Sequence, residues 1–323
     1  MKNSSILSNI RKSFQRKDRL IPFVGAGFSR NIASYPTWNT FVNDLKNDLR
    51  YEPSIKFGTT EAQAFDQLPN ALEKTEYYVR SFGKVRSNIF DPTSSDDYEQ
   101  IYENGRKQLI RKIRNTFDPN RNPFDPVQWS VHLLLLEKFP KLIYTTNWDD
   151  TLERPEIHQN FNKLNPRENY AFSKQGNNDG KPRVIKYHGD FKREEFIVAC
   201  LTDYQARMSQ THCLDIKLKS DILRYDLLLL GYSFSDPNIQ LMIHQLSEVV
   251  TATNSAVGGR HIDTKIYLVT LEKPEDLRVN LLRDTFLSLE PYHLLDPTSD
   301  YDSNGYPIGS VAKRKMEDFL RNL

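Results

Sequence analysis

The chain has 323 residues and nearly balanced charge, with 44 Lys and Arg against 42 Asp and Glu. This balance gives no indication of nucleic-acid binding, and no apolar run approaches the ~18 residues that a membrane-spanning helix needs. Two cysteines, Cys200 and Cys213, are too few for a disulfide framework or a four-cysteine zinc site. We therefore expect a chain of the reducing cytoplasm that does not enter a membrane.

The first half of the chain predicts one strand followed by a long helical region. Apolar residues between Ile6 and Phe14 recur at helical spacing, which predicts an amphipathic helix rather than a signal peptide. The apolar run Leu20–Val24 predicts a strand, and a helix is expected through Trp38–Leu49. The region after it shows no strand pattern and predicts helices at 61–68, 71–82, 98–116 and 128–138.

The second half of the chain alternates between strands and helices. A polar stretch at 155–181 predicts a surface loop. Apolar runs predict strands at 142–145, 184–187, 227–230 and 265–270, with a further short strand at 196–198 and a helix at 237–250. Strands that alternate with helices are typical of a parallel sheet.

The predicted fold is therefore α/β, a Rossmann-like parallel sheet flanked by helices. We expect a single domain over 1–323, with its core at about 18–50 and 137–272. A helical insertion is expected at about 51–136, and a C-terminal extension at about 273–323.

Short polar or glycine-rich motifs follow four of the predicted strands. Because the carboxyl ends of parallel strands lie along one edge of a sheet, these motifs are expected to line one ligand pocket. The motifs are Gly25-Ala26-Gly27-Phe28-Ser29, Thr145-Thr146-Asn147-Trp148-Asp149, His188-Gly189-Asp190 and Gly231-Tyr232-Ser233-Phe234-Ser235-Asp236.

The glycines of the first motif indicate either a phosphate site or an ordinary turn. Glycine after a strand lets a phosphate approach the backbone, and the helix that follows can offer free N–H groups to it. The match to the dinucleotide fingerprint is partial, because Arg30 stands at the third glycine position. A plain strand–helix turn explains the same residues.

The polar residues of the other motifs also carry two interpretations. Asn147 can orient ribose hydroxyls or a water molecule, and His188 can accept a proton near neutral pH. Asn147, Asp149 and Asp236 are equally residue types that cap helices. Asp236 precedes Pro237, a typical helix start.

Taken in order, the four motifs resemble the signature of the sirtuin superfamily, and most of all the sirtuin-like domains of bacterial anti-phage defence. Those domains include the Thoeris effector and sirtuin proteins paired with a HerA-type ATPase. The resemblance implies NAD as a substrate, with no separate cofactor or metal. It implies His188 as the catalytic base, with Asn147 and Asp149 at the nicotinamide ribose. It also places Gly25, Ala26, Gly27, Phe28, Ser29, Thr146, Gly231 and Ser233 in contact with the nucleotide.

The cysteine count separates this chain from protein-deacylating sirtuins, which carry four zinc-binding cysteines after the histidine–glycine pair. Two thiolates cannot close a tetrahedral structural zinc site. The resemblance therefore favours an NAD hydrolase that depletes NAD in defence and acts as a homo-oligomer, with a HerA-type ATPase or another sensor as partner. Two alternatives stay open: a regulatory module that binds NAD or ADP-ribose without cleaving it, and a protein deacylase or ADP-ribosyltransferase.

Overall fold

The computed structural model describes residues 2–16, 19–32, 35–36, 38–117, 123–154, 156, 162–164, 183–191, 193–209, 212–232, 236–256, 264–286 and 288–323. The chain divides into two compact units. The first comprises Met1–Ala33, Phe124–Tyr187 and Thr211–Leu323, and the second comprises Ser34–Pro123 and His188–Gln210. The second unit, called the helical unit below, thus includes the stretch His188–Gln210, which the expected insertion at 51–136 does not contain. The single-domain organisation stays a prediction.

Seven strands form a parallel sheet within the described part of the first unit, in the order β3-β4-β2-β1-β5-β6-β7. The predicted α/β class with a Rossmann-like parallel sheet is confirmed. The strands are β1 (Leu20–Val24), β2 (Leu142–Thr145), β3 (Asn162–Leu164), β4 (Arg183–Lys186), β5 (Asp226–Leu230), β6 (Ile266–Thr270) and β7 (Leu289–His293).

The central strands are buried on both faces, which explains their continuous apolar sequences. Every residue of β1, β5 and β6 is buried. Alternate residues enter two separate cores: Phe23 and Leu229 pack on one face, and Val24 and Leu230 pack on the other. A parallel sheet covered on both faces needs apolar residues at successive positions.

Three predicted features of the sheet were wrong. Lys265–Thr270 is not the final strand, because β7 pairs with β6 beyond it. A short strand, β3, lies inside the stretch expected to be a loop. The strand expected at 196–198 is absent from the described residues, and a 3-10 turn at Glu194–Phe196 precedes that position. The segments at 162–164 and 196–198 carry too few residues for periodicity to identify their structure.

Helices surround the sheet and build the second unit. The helices of the first unit are α1 (Lys2–Gln15), α2 (Ala26–Ser29), α7 (Ser130–Lys138), α9 (Cys213–Ile222), α10 (Pro237–Ala256), α11 (Leu277–Thr285) and α12 (Gly309–Arg321). Those of the second unit are α3 (Trp38–Tyr51), α4 (Thr59–Gln67), α5 (Ala71–Ser87), α6 (Ser95–Thr116) and α8 (Leu201–Ser209). The helix expected at 128–138 thus belongs to the first unit rather than to the helical one.

Neither a membrane span nor a metal cluster occurs in the part of the chain that the structure describes. No described helix is both long and apolar enough to cross a bilayer. Across the same residues, no group of three or more His, Cys, Asp and Glu side chains is arranged to hold a metal ion.

Candidate functional site

The topology of the sheet places a crevice beside β1. The chain runs from β1 to β2 on one side, and the later strand β5 pairs with β1 on the other side. In open α/β sheets, ligands bind at such a reversal of strand order, outside the carboxyl ends of the strands. The loops that follow β1, β2 and β5 therefore border the candidate site.

Backbone-to-backbone contact joins the loop after β1 to the loop after β5. The N–H of Gly25 donates to the Leu230 carbonyl (2.9 Å), and that of Gly27 donates to the Gly231 carbonyl (2.8 Å). A Cβ atom at Gly25 or Gly27 would lie 2.7 Å from the Gly231 oxygen. Glycine is therefore required for close packing of the two loops.

This contact corrects one expectation for the first motif. The N–H groups of Gly25 and Gly27 already have acceptors inside the protein, so they are not free donors for a phosphate. Ala26 and Gly27 are nevertheless exposed at the turn, whereas Phe28 is buried. Nucleotide contact through other atoms of this motif stays a prediction.

Asn147 is held rigidly beneath the first motif. Its Nδ2 donates to the Gly25 carbonyl (3.1 Å) and to Ser29 Oγ (3.0 Å), and the side chain is buried. Because a carbonyl oxygen can only accept, this bond determines which way the amide faces. Asn147 Oδ1 is buried and has no hydrogen-bond partner in the described structure. This oxygen is an oriented acceptor for a hydroxyl group or a water molecule.

Asp149 stabilises the loop after β2. One carboxylate oxygen accepts from Ser29 Oγ (2.9 Å), and the other accepts from the N–H (3.1 Å) and the hydroxyl (2.5 Å) of Thr151. Both oxygens are thus engaged within the protein. The capping interpretation of Asp149 fits this geometry, and a direct contact with the nucleotide stays a prediction.

A fully buried lysine supports the same loop. Lys186, the last residue of β4, has no exposed surface, and its Nζ lies 3.0 Å from Glu153 Oε1. The same ammonium donates to the Asp149 carbonyl. Removing one partner of a buried ion pair leaves a charge without compensation, so this pair constrains the loop that carries Asn147. Lys186 was not predicted from the sequence, because lysine is usually solvent-exposed.

Thr146 and Asp236 have structural contacts inside the first unit. The Thr146 N–H donates to the Val24 carbonyl (3.2 Å). Asp236 accepts from the N–H groups of Asn238 (2.9 Å) and Ile239 (3.2 Å), which confirms it as the cap of α10. Ser233 lies outside the described residues, so its expected contact with the nucleotide stays a prediction.

Asn238 is a candidate that the sequence analysis did not single out. It lies in the first turn of α10, is buried, and has no hydrogen-bond partner for either amide atom among the described residues. Helical side chains tilt towards the N-terminus of their helix. The amide therefore points to the end of α10 that follows the loop after β5.

His188 begins the second stretch of the helical unit. It is buried, its carbonyl accepts from the Val198 N–H (3.0 Å), and its ring lies 5.2 Å from the ring of Tyr204. Gly189 has φ +78°, and a Cβ there would lie 2.5 Å from the Phe196 carbonyl carbon. Because His188 and Asn147 belong to different units, their meeting in one pocket stays a prediction.

Comparison with known proteins relates this region to a described family. A family described as a SIR2-like domain matches residues 141–287. These residues are therefore similar to a SIR2-like domain. The match includes Asn147, His188 and Gly231, and it confirms the resemblance that the motifs indicated.

Three curated relatives of the chain are each named NAD(+) hydrolase ThsA. The one from Enterococcus faecium is 28% identical over 229 residues, which is 71% of this chain and 40% of the relative. The one from Cytobacillus dafuensis is 24% identical over 147 residues (45% and 28%), and the one from Acinetobacter baumannii (strain 532279) is 21% identical over 268 residues (82% and 46%). The chain thus spans less than half the length of each of these relatives.

A solved Sir2 structure, with a deacetylated peptide and 3'-O-acetyl ADP ribose, is also similar to the chain. It has a TM-score of 0.40 and 12% sequence identity, and the similarity covers 98% of both chains.

Proposed function

We propose that this SIR2-like chain hydrolyses NAD to nicotinamide and ADP-ribose. The observation that carries the proposal is the buried, oriented Asn147 Oδ1, which has no protein partner in the described structure. A buried acceptor without a partner is costly, and a ribose hydroxyl or a water molecule at this position would satisfy it. The names of the three curated relatives support NAD as the substrate.

In the proposed reaction, a water oxygen bonds to the ribose carbon as the bond from that carbon to the nicotinamide nitrogen breaks. The bonding electrons move to the nicotinamide ring, which leaves neutral, and the proton of the water passes to His188. The transition state resembles an oxocarbenium ion, as in other glycosyl cleavage. Asn147 orients the ribose or the water. A general base of this kind contributes about 10²- to 10⁴-fold to the rate.

The other predicted residues have supporting roles in the proposal. The exposed turn at Ala26 and Gly27 would lie against the pyrophosphate, and the loop containing Gly231 and Ser233 would lie against the adenosine half. Asp149 would act through Ser29, whose hydroxyl donates to Asp149 and accepts from Asn147. The proposal requires neither a metal nor a further cofactor.

Purified protein incubated with NAD tests the proposal directly, with nicotinamide release followed by chromatography. Asn147→Ala and His188→Ala should each abolish turnover while the protein stays folded, as a cooperative thermal unfolding transition would show. His244→Ala is the matched control, because this histidine is exposed and pairs with Glu248 at the surface. Full activity in either test variant would reject the assignment, and binding of NAD without release would favour the regulatory-module alternative.

We further propose a role in defence, assembly as a homo-oligomer, and a partner chain. They follow from the resemblance to defence sirtuins, in which loss of NAD must be restrained until infection. We propose that the chain works as a homo-oligomer and responds to a HerA-type ATPase or another sensor. Light scattering of the purified protein tests the oligomer: a single monomer mass at every concentration would contradict it.

A further inference from the structure

Within the second unit, a half-buried polar cluster holds the stretch of chain that begins at His188. We propose that Arg106 and Asp203 are positioning residues for His188, which they orient through Val198 and Tyr204. The inference rests on the proposed function in so far as His188 is taken as the base. The cluster itself is a property of the helical unit, and a measurement other than activity can test it.

Arg106, on α6, bonds to the 3-10 turn at Glu194–Phe196 and to Ile197, the residue that follows the turn. Its Nε lies 2.8 Å from Asp203 Oδ1, on α8. Its Nη2 donates to the carbonyls of Ile197 (2.5 Å) and Glu194 (3.2 Å). A guanidinium suits this task because its donors lie in one rigid plane, whereas a lysine ammonium offers a single point of charge.

Asp203 gathers donors from several parts of the unit. Oδ1 also accepts from the Tyr102 hydroxyl (2.5 Å), and Oδ2 accepts from the N–H groups of Ala199 (3.0 Å) and Cys200 (3.3 Å). The Cys200 thiol donates to the same oxygen (3.4 Å). Burial, together with the neighbouring carboxylate, raises the pKa of Cys200 well above its usual range, so the thiol stays protonated. Cys200 therefore serves as a hydrogen-bond donor here rather than as a thiolate ligand.

Two contacts connect the Arg106–Asp203 pair to His188. Val198 lies between Ile197, which Arg106 holds, and Ala199, which Asp203 holds, and its N–H donates to the His188 carbonyl. Tyr204 follows Asp203 directly, and its ring contacts the His188 ring. The Arg106–Asp203 pair thus restrains both Val198, which bonds to the backbone of His188, and Tyr204, which contacts its imidazole.

The Arg106–Asp203 pair positions backbone groups as well as contributing to stability. This pair is half-buried, and even a fully buried ion pair is often no more stabilising than apolar residues of the same volume, because desolvation offsets the attraction. What apolar residues cannot reproduce is the set of directed bonds to Ile197, Glu194 and Ala199. Loss of these bonds should displace His188, and a displacement of about 1 Å at a catalytic group can cost about 100-fold in rate.

The experiment compares Arg106→Met and Arg106→Lys with Lys107→Met. Lys107 is the neighbouring, exposed residue on α6, so its replacement removes the same charge without touching the cluster. We expect both Arg106 variants to lower kcat by about 10- to 100-fold with KM for NAD changed by less than about twofold. The Lys107 variant should match the wild type.

A second measurement reports on His188 without using activity. The proton resonances of its imidazole, assigned by their loss in His188→Ala, should move in the Arg106 variants, because the ring of Tyr204 shifts away. They should stay in place in Lys107→Met. Tyr204→Leu, which leaves the ion pair intact, tests the ring contact separately and should lower kcat. Arg106→Lys keeps the charge, so it carries the comparison if Arg106→Met does not fold.

Unmoved His188 resonances in a folded Arg106 variant would overturn the inference, whether or not kcat falls. Failure of the proposed function would look different. It would appear as no binding of NAD by the wild type, or as full nicotinamide release by His188→Ala. In either case the resonance comparison would still decide whether Arg106 and Asp203 position this histidine.

Discussion

The imidazole of His132 lies in the interior of the first unit with neither ring nitrogen hydrogen-bonded to a described residue. Its ring packs edge-on against Phe28 at 4.8 Å and lies 5.8 Å from Trp129. Burial lowers the pKa of His132 from 6.5 to about 4, although the charge of Asp149 opposes the shift and that of Lys313 adds to it. The histidine is therefore neutral in the folded protein at physiological pH.

This environment predicts a specific dependence of stability on pH. Between about pH 6.5 and pH 4 the unfolded chain binds a proton at His132 that the folded chain does not, so the free energy of unfolding falls as pH falls through that window. His132→Phe should remove this component. It should be neutral or stabilising at pH 7, because it replaces an unsatisfied polar ring with an apolar one. Urea unfolding at several pH values measures both effects.

The control for this prediction is His244→Ala, which removes an exposed histidine. It should keep the pH dependence of the wild type. If His132→Phe unfolds with the same pH profile as the wild type, His132 does not carry the linkage.

Individual residues divide into those that sequence could suggest and those that it could not. Asn147 and His188 follow apolar runs directly, and a polar residue at a strand end is a recognisable signal. His132, Lys186, Arg106 and Asn238 lie on helices or inside a strand, where the same residue types are usually solvent-exposed. Their importance comes from burial, and burial depends on neighbours that are distant in the chain.

Among the structural elements, the two loops after β1 and β5 depend most strongly on glycine. Gly231 has φ +59°, in the left-handed region, and a Cβ there would lie 2.0 Å from the Phe28 nitrogen. A non-glycine residue would therefore meet both backbone strain and a steric collision with backbone atoms. Neither loop can move away easily, since each follows a fully buried strand.

Gly231→Ala should therefore destabilise the protein by more than the ~1–2 kcal/mol that left-handed backbone alone costs an L-residue. Gly305→Ala is the matched control: its φ is +81°, but no atom lies within 4 Å of the added Cβ. Urea unfolding should show a clearly larger loss for Gly231→Ala than for Gly305→Ala. Equal losses would mean that the loop contact contributes nothing beyond the backbone conformation.

The strands of the sheet were predictable where they are long and buried on both faces. β1, β2, β4, β5 and β6 all stand at predicted positions. β7 was missed because it contains Pro291, which lacks the N–H that a central strand must donate. As the last strand in the order, β7 has a neighbour on one side only, so it accommodates a proline.

For the molecule as a whole, binding of NAD should appear as increased stability. A ligand that binds only the folded state at a free concentration of 100 times its Kd adds about 2.7 kcal/mol to the free energy of unfolding. His188→Ala should keep the nucleotide intact, so thermal unfolding of this variant should shift to higher temperature as NAD increases. Sodium chloride at matched ionic strength is the control. No shift up to millimolar NAD would contradict nucleotide binding.

The sequence alone was enough to predict the α/β class and the main strands. It was also enough to predict the polar residues that directly follow those strands, such as Asn147 and His188. Strand periodicity and turn chemistry are local properties, so a single sequence records them. Contacts such as Ser29–Asp149 and Arg106–Asp203 join residues 120 and 97 positions apart, and no local pattern marks them. These contacts show that Asp149 supports a loop and that an arginine on a helix holds the stretch beginning at His188. The bonds from Gly25 to Leu230 and from Gly27 to Gly231 likewise show that two glycine N–H groups are already engaged. They exist only once the chain has packed, because burial and the partners it imposes arise from the whole fold.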